Sequence, residues 1–326
     1  MAIHVSARKG YPGAVDDPRP PPPEGLPGQP PSGYFYWGSS VGDNALGAGS
    51  DPTIAEFEAW LGVPLTAYRG YVSKATVDSG LTQAQNALRT RISNALATRA
   101  LPFVSTKTPS NDWAGIAAGE RNAWLDGMLD VACSFTDAVW LVFHHEPKGD
   151  GTPTDFKAMQ RYIRARLEAR SDGGNVYLWA ILNGYQFVED LAGFRAWRHD
   201  DGVHAFGYDR YYPGNFSSPA SAEGALDPAY EISDWGYKTA ICETGCLTDT
   251  SNRGRAEDWV EDLYSRAHTH GGVEAVCWWN QAQYRMRYLG ATENLDSPDY
   301  ERRRGWRTCY AGSWTYAMPT VPVNYG

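Results

Sequence analysis

The sequence predicts an α/β fold, a (β/α)8 or TIM barrel, preceded by a proline-rich arm. Eight short runs of aliphatic, aromatic and β-branched residues recur at intervals of roughly 35 residues, with helical patterns between them. Several runs are almost continuously apolar, as expected for parallel strands that are buried on both faces. Polar residues close most of the runs, and a barrel of this class carries its functional groups at that rim.

The first 32 residues are predicted to form an arm or linker. Residues 12–31 contain nine prolines, including Pro20 to Pro23, and such a segment favours extended polyproline geometry and builds no core. An ordered tether and a disordered leader both fit this composition. The barrel domain is predicted to take residues 33–326, including a C-terminal extension after the last strand.

Eight strands are predicted in this domain. They occupy residues 33–40, 66–73, 101–109, 137–146, 175–182, 203–212, 238–245 and 274–281. The competing architecture is a doubly wound open sheet, which usually has a glycine-rich phosphate loop after its first strand. The segment "YWGSSVGDNALGAG" is rich in glycine but lacks the GxGxxG spacing, so the barrel is favoured.

Helical patterns fill the intervals between the strands. In "DPTIAEFEAWLG" Asp51 is the predicted N-cap and Pro52 the first helical residue. The pattern "TDFKAMQRYIRARLEAR" is predicted to start at Thr154 and to bury one apolar stripe. "RAEDWVEDLYSRAHTHGG" is predicted to end at Gly271 and Gly272.

Composition excludes several classes of function. The net charge is −9, so a nucleic-acid partner is not expected, because phosphate binding needs a basic surface. No stretch reaches the roughly 18 apolar residues of a membrane span, and the N-terminus lacks the apolar core of a signal peptide. Five scattered cysteines indicate neither a zinc site nor a disulfide framework, although their number still allows a single disulfide.

The candidate functional residues are those that close the predicted strands. Stability alone does not require so many polar side chains around one rim. Apart from the two glutamates considered next, they include Arg69, Tyr71, Lys107, His144, His145, Asn183, Asp209, Tyr211 and Trp279.

Two glutamates close otherwise apolar runs, Glu146 on the fourth and Glu243 on the seventh. The C-terminal ends of the fourth and seventh strands of an eight-strand ring face each other across its mouth. Glycoside cleavage with retention needs two carboxyls about 5–5.5 Å apart, one as acid/base and one as nucleophile. Either glutamate alone is better explained as a loop anchor; the pair favours catalysis.

The motifs "HHEP" and "ICETG" resemble those of the clan A glycoside hydrolases, which are (β/α)8 enzymes. His145 before the first glutamate is similar to family 26, a group of endo-mannanases and related β-glycanases. The resemblance implies a retaining endo-glycoside hydrolase, with Glu146 as acid/base and Glu243 as nucleophile. It also implies that Tyr211, in "GYDRYYP", touches the nucleophile and that Trp279, in "CWWNQ", lies under the sugar.

The resemblance spans residues 33–310 in architecture but only short motifs in identity. The loop "PKGDGTPTDF" lacks the tryptophan-rich segment of many family 26 mannanases, which argues against mannan as the substrate. His145 is predicted to orient Glu146 or to bind a sugar hydroxyl, while His144 packs behind the sheet and Trp278 points outward. Further substrate-binding candidates are Arg69, Lys107, Asn183 and Asp209.

No metal or other cofactor is predicted. The pair His145–Glu146 is followed by Pro147, Lys148 and Gly149, so the HExxH pattern of zinc hydrolases fails. The GxSxG motif of serine hydrolases is also absent.

A second hypothesis is a glycan-binding structural protein, such as a minor tail protein of a bacteriophage, with or without hydrolase activity. The arm is then an attachment segment for other virion tail proteins, and the missing signal peptide agrees with a virion location. Otherwise the protein is expected in the cytoplasm or exported by a route other than Sec. In each case the partner is a cell-surface or cell-wall polysaccharide.

Overall fold

Eight parallel strands close into a barrel in the order in which they occur along the chain. The computed structural model describes residues 27–41, 53–212, 222–246, 254–279, 298–311 and 315. The strands are β1 Tyr36–Ser40, β2 Ala67–Val72, β3 Leu101–Thr106, β4 Val139–Phe143, β5 Val176–Asn183, β6 Ala205–Asp209, β7 Thr239–Thr244 and β8 Val273–Trp279. The predicted (β/α)8 class and its eight strands are confirmed.

Helices connect the strands, as a parallel barrel requires. Within the described ranges they are α1 Ile54–Leu61, α2 Lys74–Asp78, α3 Leu81–Ala97, α4 Trp113–Ala117, α5 Asn122–Cys133, α6 Pro153–Glu168, α7 Gly184–Glu189, α8 Leu191–Ala196, α9 Asp227–Asp234, α10 Arg255–His270 and α11 Pro298–Ala311. Short 3-10 turns lie at Pro109–Asn111, Gly173–Asn175 and Glu223–Ala225. None of the described helices is long and apolar enough to cross a membrane.

The helix starts correct two predictions. Asp51 and Pro52 lie outside the described residues, and α1 is capped instead by Thr53, whose hydroxyl accepts from the Glu56 amide in a capping box. Helix α6 begins at Pro153 with Thr152 as its cap, ahead of the predicted start. The predicted end of α10 is confirmed, since Gly271 follows it with φ 70°, a left-handed backbone that glycine adopts without strain.

The core has two layers. Inside the barrel, aromatic rings pack against one another, and the tilted rings of Trp140 and Trp179 have centroids 4.6 Å apart. Outside, the strands pack against the helices. Trp306 of α11 stacks on Trp37 at 4.2 Å, and Trp278 lies between Trp306 and Trp259, which confirms that Trp278 points outward. All five cysteines are buried free thiols.

The end of the predicted arm closes the floor of the barrel. Trp140 donates to the Pro27 carbonyl at 3.2 Å, Tyr36 donates to the Gly28 carbonyl at 2.9 Å, and Gln29 donates to Glu274 at 2.6 Å. Residues 27–29 therefore pack with the barrel, although the sequence assigned them to an arm. Residues 1–26, with most of the prolines, lie outside the described residues.

The floor contact places an acid in the core. Glu274 is 4% exposed, and burial, offset by the Gln29 hydrogen bond, raises its pKa from 4.5 to about 7. The folded-state pKa exceeds the unfolded one, so ionisation of Glu274 opposes folding increasingly as pH rises between these values.

We expect Glu274→Gln to be more stable than the wild type above pH 7, by on the order of 2–3 kcal/mol, and to gain nothing near pH 4. Urea unfolding at pH 4 and pH 8 measures this. The exposed Glu189→Gln is the control and is expected to show no such pH-dependent gain. An equal gain for both variants would contradict the assignment.

Candidate active site

The carboxylate of Glu243 lies at the C-terminal end of β7, between two tyrosine hydroxyls. Tyr71 of β2 donates to its Oε1 at 2.6 Å, and Tyr211, two residues after β6, donates to its Oε2 at 2.5 Å. Burial, followed by the charge of Glu243, raises the pKa of Tyr211, and burial raises that of Tyr71 well above 10. Both hydroxyls therefore stay protonated and stabilise a negative charge on Glu243.

Arg69 lies beneath this carboxylate. Its Nη2 is 3.9 Å from Glu243 Oε1, and its guanidinium stacks on the Tyr71 ring at 4.4 Å. The side chain is 0% exposed. Direct substrate binding by Arg69 stays a prediction from the sequence; in the structure its guanidinium faces Glu243.

Glu146 lies beyond β4, not on it. The strand ends at Phe143, and His144 and Glu146 take left-handed φ values of 66° and 49°, which turn the chain sharply. The Glu146 amide donates to the Ile181 carbonyl at 2.8 Å, and Asn183 Nδ2 donates to Glu146 Oε1 at 2.9 Å. These contacts tie the turn to β5. The predicted fourth strand, 137–146, started two residues before the observed strand and ran three residues past its end, because it included this turn.

The surroundings of Glu146 favour its neutral form. Burial, followed by the negative charge of Glu243, raises the pKa of Glu146 from 4.5 to about 7. The charges of Lys107 and Arg69 oppose this rise. The two glutamates thus have different environments. Glu243 accepts hydrogen bonds from two hydroxyls near a guanidinium, while Glu146 accepts one from the Asn183 amide.

Asp209 ends β6 between the two glutamates. In the sheet it pairs with Asn183 on one side and with Glu243 on the other. It is 1% exposed, and neither carboxyl oxygen has a hydrogen-bond partner among the described residues. Burial, then the charges of Glu243 and Glu146, raises its pKa well above 3.8. Three carboxyls so close together cannot all be ionised easily.

The side chains of His144 and His145 point to opposite sides of the barrel wall, as predicted. His144 is fully buried against Trp113, whose Nε1 lies 3.1 Å from His144 Nδ1, and its Nε2 lies 2.7 Å from Asp150. It therefore packs outside the barrel. His145 lies on the inner side, its ring 5.6 Å from that of Tyr71. Burial, then the charge of Arg69, lowers the pKa of His145 well below 6.5, so the ring is neutral.

Lys107, a predicted substrate contact, holds the loop that carries Glu146. Its Nζ donates to the His145 carbonyl and to Asp150 Oδ2, both at 2.9 Å. These bonds link the ends of β3 and β4, so the structure gives Lys107 a loop-positioning role.

Trp279 is half-buried at the end of β8. Its ring meets the Tyr71 ring edge-on, with centroids 5.3 Å apart. Asn280 and Gln281, which the sequence included in the same strand, lie outside the described residues.

One group of three potential metal ligands occurs among the described residues. His145, Glu146 and Asp209 each offer an atom within 4.8 Å of the others. All three belong to the carboxyl cluster described above. The absence of a catalytic metal stays a prediction from the sequence.

The sequence named Tyr71 among the residues that close the strands but assigned it no role, and it did not single out Asp150. Tyr71 follows Arg69 by two positions on β2, so strand alternation places both on the same side, a signal that was available. Asp150 lies in the loop after β4, where no periodicity indicates which way a side chain points.

No protein-family model matches the chain, and no curated protein matches it. Solved structures do. A ruminal GH26 endo-β-1,4-mannanase superposes with a TM-score of 0.59 at 11% identity, covering 88% of this chain and 65% of the ruminal one. The catalytic domain of a Bacillus sp. JAMB-750 GH26 endo-β-1,4-mannanase superposes with a TM-score of 0.57 at 15% sequence identity, covering 87% of both chains.

A modular Cellulomonas fimi endo-β-1,4-mannanase gives a TM-score of 0.57 at 16% identity, covering 88% of this chain and 72% of its own. At such identities the comparisons establish a shared fold. The chain therefore has the (β/α)8 barrel found in family 26 glycoside hydrolases, and it spans about two thirds of the ruminal enzyme.

Proposed function

We propose that the protein is a retaining endo-glycoside hydrolase that cleaves a polysaccharide with Glu146 as acid/base and Glu243 as nucleophile. The supporting observation is the contrast between the two carboxyls. Two tyrosine hydroxyls and a guanidinium stabilise charge on Glu243, whereas burial and the charge of Glu243 keep Glu146 protonated up to about pH 7. Such a contrast between two carboxyls supports Glu243 as the nucleophile and Glu146 as the acid.

In the first step Glu243 attacks the anomeric carbon as the glycosidic bond breaks. Glu146 gives its proton to the departing oxygen, and the sugar becomes covalently linked to Glu243. The ionised Glu146 then takes a proton from water, whose oxygen attacks the anomeric carbon and releases Glu243. Two inversions give overall retention of configuration.

Three further residues are proposed to contact the sugar. Trp279 offers an apolar face of the kind on which sugar rings stack. His145, as a neutral imidazole, both donates and accepts hydrogen bonds. Asp209 offers carboxyl oxygens without partners among the described residues.

A polysaccharide screen tests the proposal. The panel contains mannan and glucomannan, because structural neighbours are named for such substrates, together with xylan and bacterial cell-wall glycans. We expect new reducing ends from at least one, with none from Glu243→Gln. Binding without product from the intact protein would instead favour the glycan-binding alternative, a phage tail protein included.

The tyrosines on Glu243 give a matched test. Tyr71→Phe and Tyr211→Phe each remove one hydroxyl from the nucleophile, and we expect kcat/KM to fall on the order of 10- to 100-fold. Tyr208→Phe is the control, because its buried hydroxyl donates to the Ala225 carbonyl at 2.8 Å. All three variants lose a similar hydrogen bond, so equal activity losses would contradict the roles of Tyr71 and Tyr211.

A further inference from the structure

We infer that Asn183 is a positioning residue that fixes which oxygen of Glu146 carries the transferable proton. This inference rests on the proposed function and deepens it. Sequence reasoning placed Asn183 among the substrate contacts, but its side-chain amide is engaged at both ends by the protein.

The oxygen end of the amide is held by a helix. Asn183 is the N-cap of α7, and its Oδ1 accepts from the backbone amides of Tyr185 at 3.0 Å and Gln186 at 3.4 Å. Backbone amides only donate, so the atom facing them must be the oxygen. The orientation of the side chain is thereby fixed by its own helix.

The nitrogen end consequently faces Glu146. Asn183 Nδ2 donates to Glu146 Oε1 at 2.9 Å. Within the described residues this is the hydrogen bond that the Glu146 side chain makes. A proton on Oε1 would point at an N–H group, which is unfavourable. The neutral acid therefore carries its proton on Oε2, and the hydrogen bond from Asn183 Nδ2 to Oε1 stabilises the carboxylate that forms when the proton leaves.

The backbone makes this arrangement rigid. The Glu146 amide donates to Ile181, two residues before Asn183 on β5, so the acid and its partner are tied to the same strand. The left-handed φ of Glu146 holds the side chain at that strand. A strained backbone at this point is consistent with a fixed acid rather than a mobile one.

Other charged and titratable groups surround Glu146 and must stay constant in a test. They are Arg69 on β2, Lys107 after β3, His145 and Asp150 after β4, Asp209 on β6, Tyr211 after β6, and Glu243 on β7. Substitutions at Asn183 leave all of these in place. Asn183→Ala also adds no charge, so a change in the titration of Glu146 in that variant reports on the lost amide.

Two variants are informative, Asn183→Asp and Asn183→Ala. Aspartate keeps an oxygen for the cap of α7, so the helix is retained, but it replaces the N–H donor by an acceptor. Asn183→Ala removes both contacts. Thr53→Ala, which removes the cap of α1, controls for the loss of a helix cap elsewhere.

The readout is the pH titration of the Glu146 carboxyl, followed by ¹³C NMR of glutamate-labelled protein and assigned with Glu146→Gln. We expect the pKa of Glu146 to rise by about one pH unit or more in both Asn183 variants, more in Asn183→Asp, and to be unchanged in Thr53→Ala. With a polysaccharide that the wild type cleaves, the alkaline limb of kcat/KM moves upward by the same amount, while kcat falls on the order of 10-fold or more.

The outcomes are distinct. A Glu146 titration that does not move in Asn183→Ala overturns the inference, whatever the activity. A shifted titration in a protein that cleaves no glycan supports the positioning role while overturning the proposed hydrolase. Loss of activity with an unmoved pKa assigns Asn183 to the fold of the loop and also overturns the inference.

Discussion

Glu243→Gln is expected to lower turnover on the order of 10⁴- to 10⁶-fold while leaving glycan binding intact. Glutamine preserves the shape of the side chain but cannot form the covalent intermediate. The two tyrosine hydroxyls at 2.5 and 2.6 Å then face a neutral amide instead of a carboxylate. Reducing-end assays and binding isotherms on the same polysaccharide measure both effects.

The nucleophile is separated from other essential residues by chemical rescue of Glu243→Ala. Azide placed in the vacated space attacks the anomeric carbon directly, so the product is a glycosyl azide of inverted configuration. A rescued product of retained configuration would contradict the assignment of Glu243. Glu231→Ala is the matched control, because Glu231 forms an ion pair with Arg195 away from the rim and its loss should leave turnover unchanged.

Replacing Glu243 also changes the other carboxyl. Its negative charge is the second cause, after burial, of the raised pKa of Glu146. We therefore expect the pKa of Glu146 in Glu243→Gln to fall below about 7. An unchanged value would contradict the electrostatic coupling between the two residues.

The second large effect is expected at Glu146. Glu146→Ala should lower turnover on the order of 10²- to 10⁴-fold, and the loss should be greatest for substrates with poor leaving groups, which need the proton most. Azide should rescue this variant with retained configuration, because Glu243 still forms the intermediate. Inverted azide products would reverse the two assignments.

The wild-type pH profile follows from the same residue. Because Glu146 must be protonated for the first step and its pKa is raised to about 7, kcat/KM should fall as pH rises through about 7. An acid with the usual value of 4.5 would produce this fall far lower. A profile flat from pH 6 to pH 9 would contradict Glu146 as the acid.

The sequence predicted the barrel well because burial on both faces leaves a strong local signal. Strands such as β5, "VYLWAILN", are apolar almost throughout, and the helices between strands show one apolar stripe each. Helix starts were less predictable, since Thr53 caps α1 where Asp51 also fits the pattern. The packing of the end of the proline-rich arm left no local signal, because the contacts of Pro27 and Gln29 reach residues more than 100 positions away.

Which residues lie at the rim could be predicted from the sequence, whereas the contacts between them could not. Glu146, Glu243, Tyr211 and Trp279 could be named because each follows an apolar run at the rim. The sequence named Arg69 as a substrate contact, and only the structure shows that its buried guanidinium lies 3.9 Å from Glu243. Tyr71 was named at the rim without a role, because its contact with Glu243, 172 residues away, exists only in the folded chain.

The sequence by itself determined the eight-strand order and the two carboxyls at the fourth and seventh positions, because strand burial and strand endings are local properties. Only the tertiary structure decided what surrounds each carboxyl: two hydroxyls and a guanidinium at Glu243, a buried turn and the Asn183 amide at Glu146. Those neighbours come from other strands, and closing the barrel brings them together. Because proton affinity depends on burial and nearby charge, the difference between the two glutamates arises only in the folded molecule.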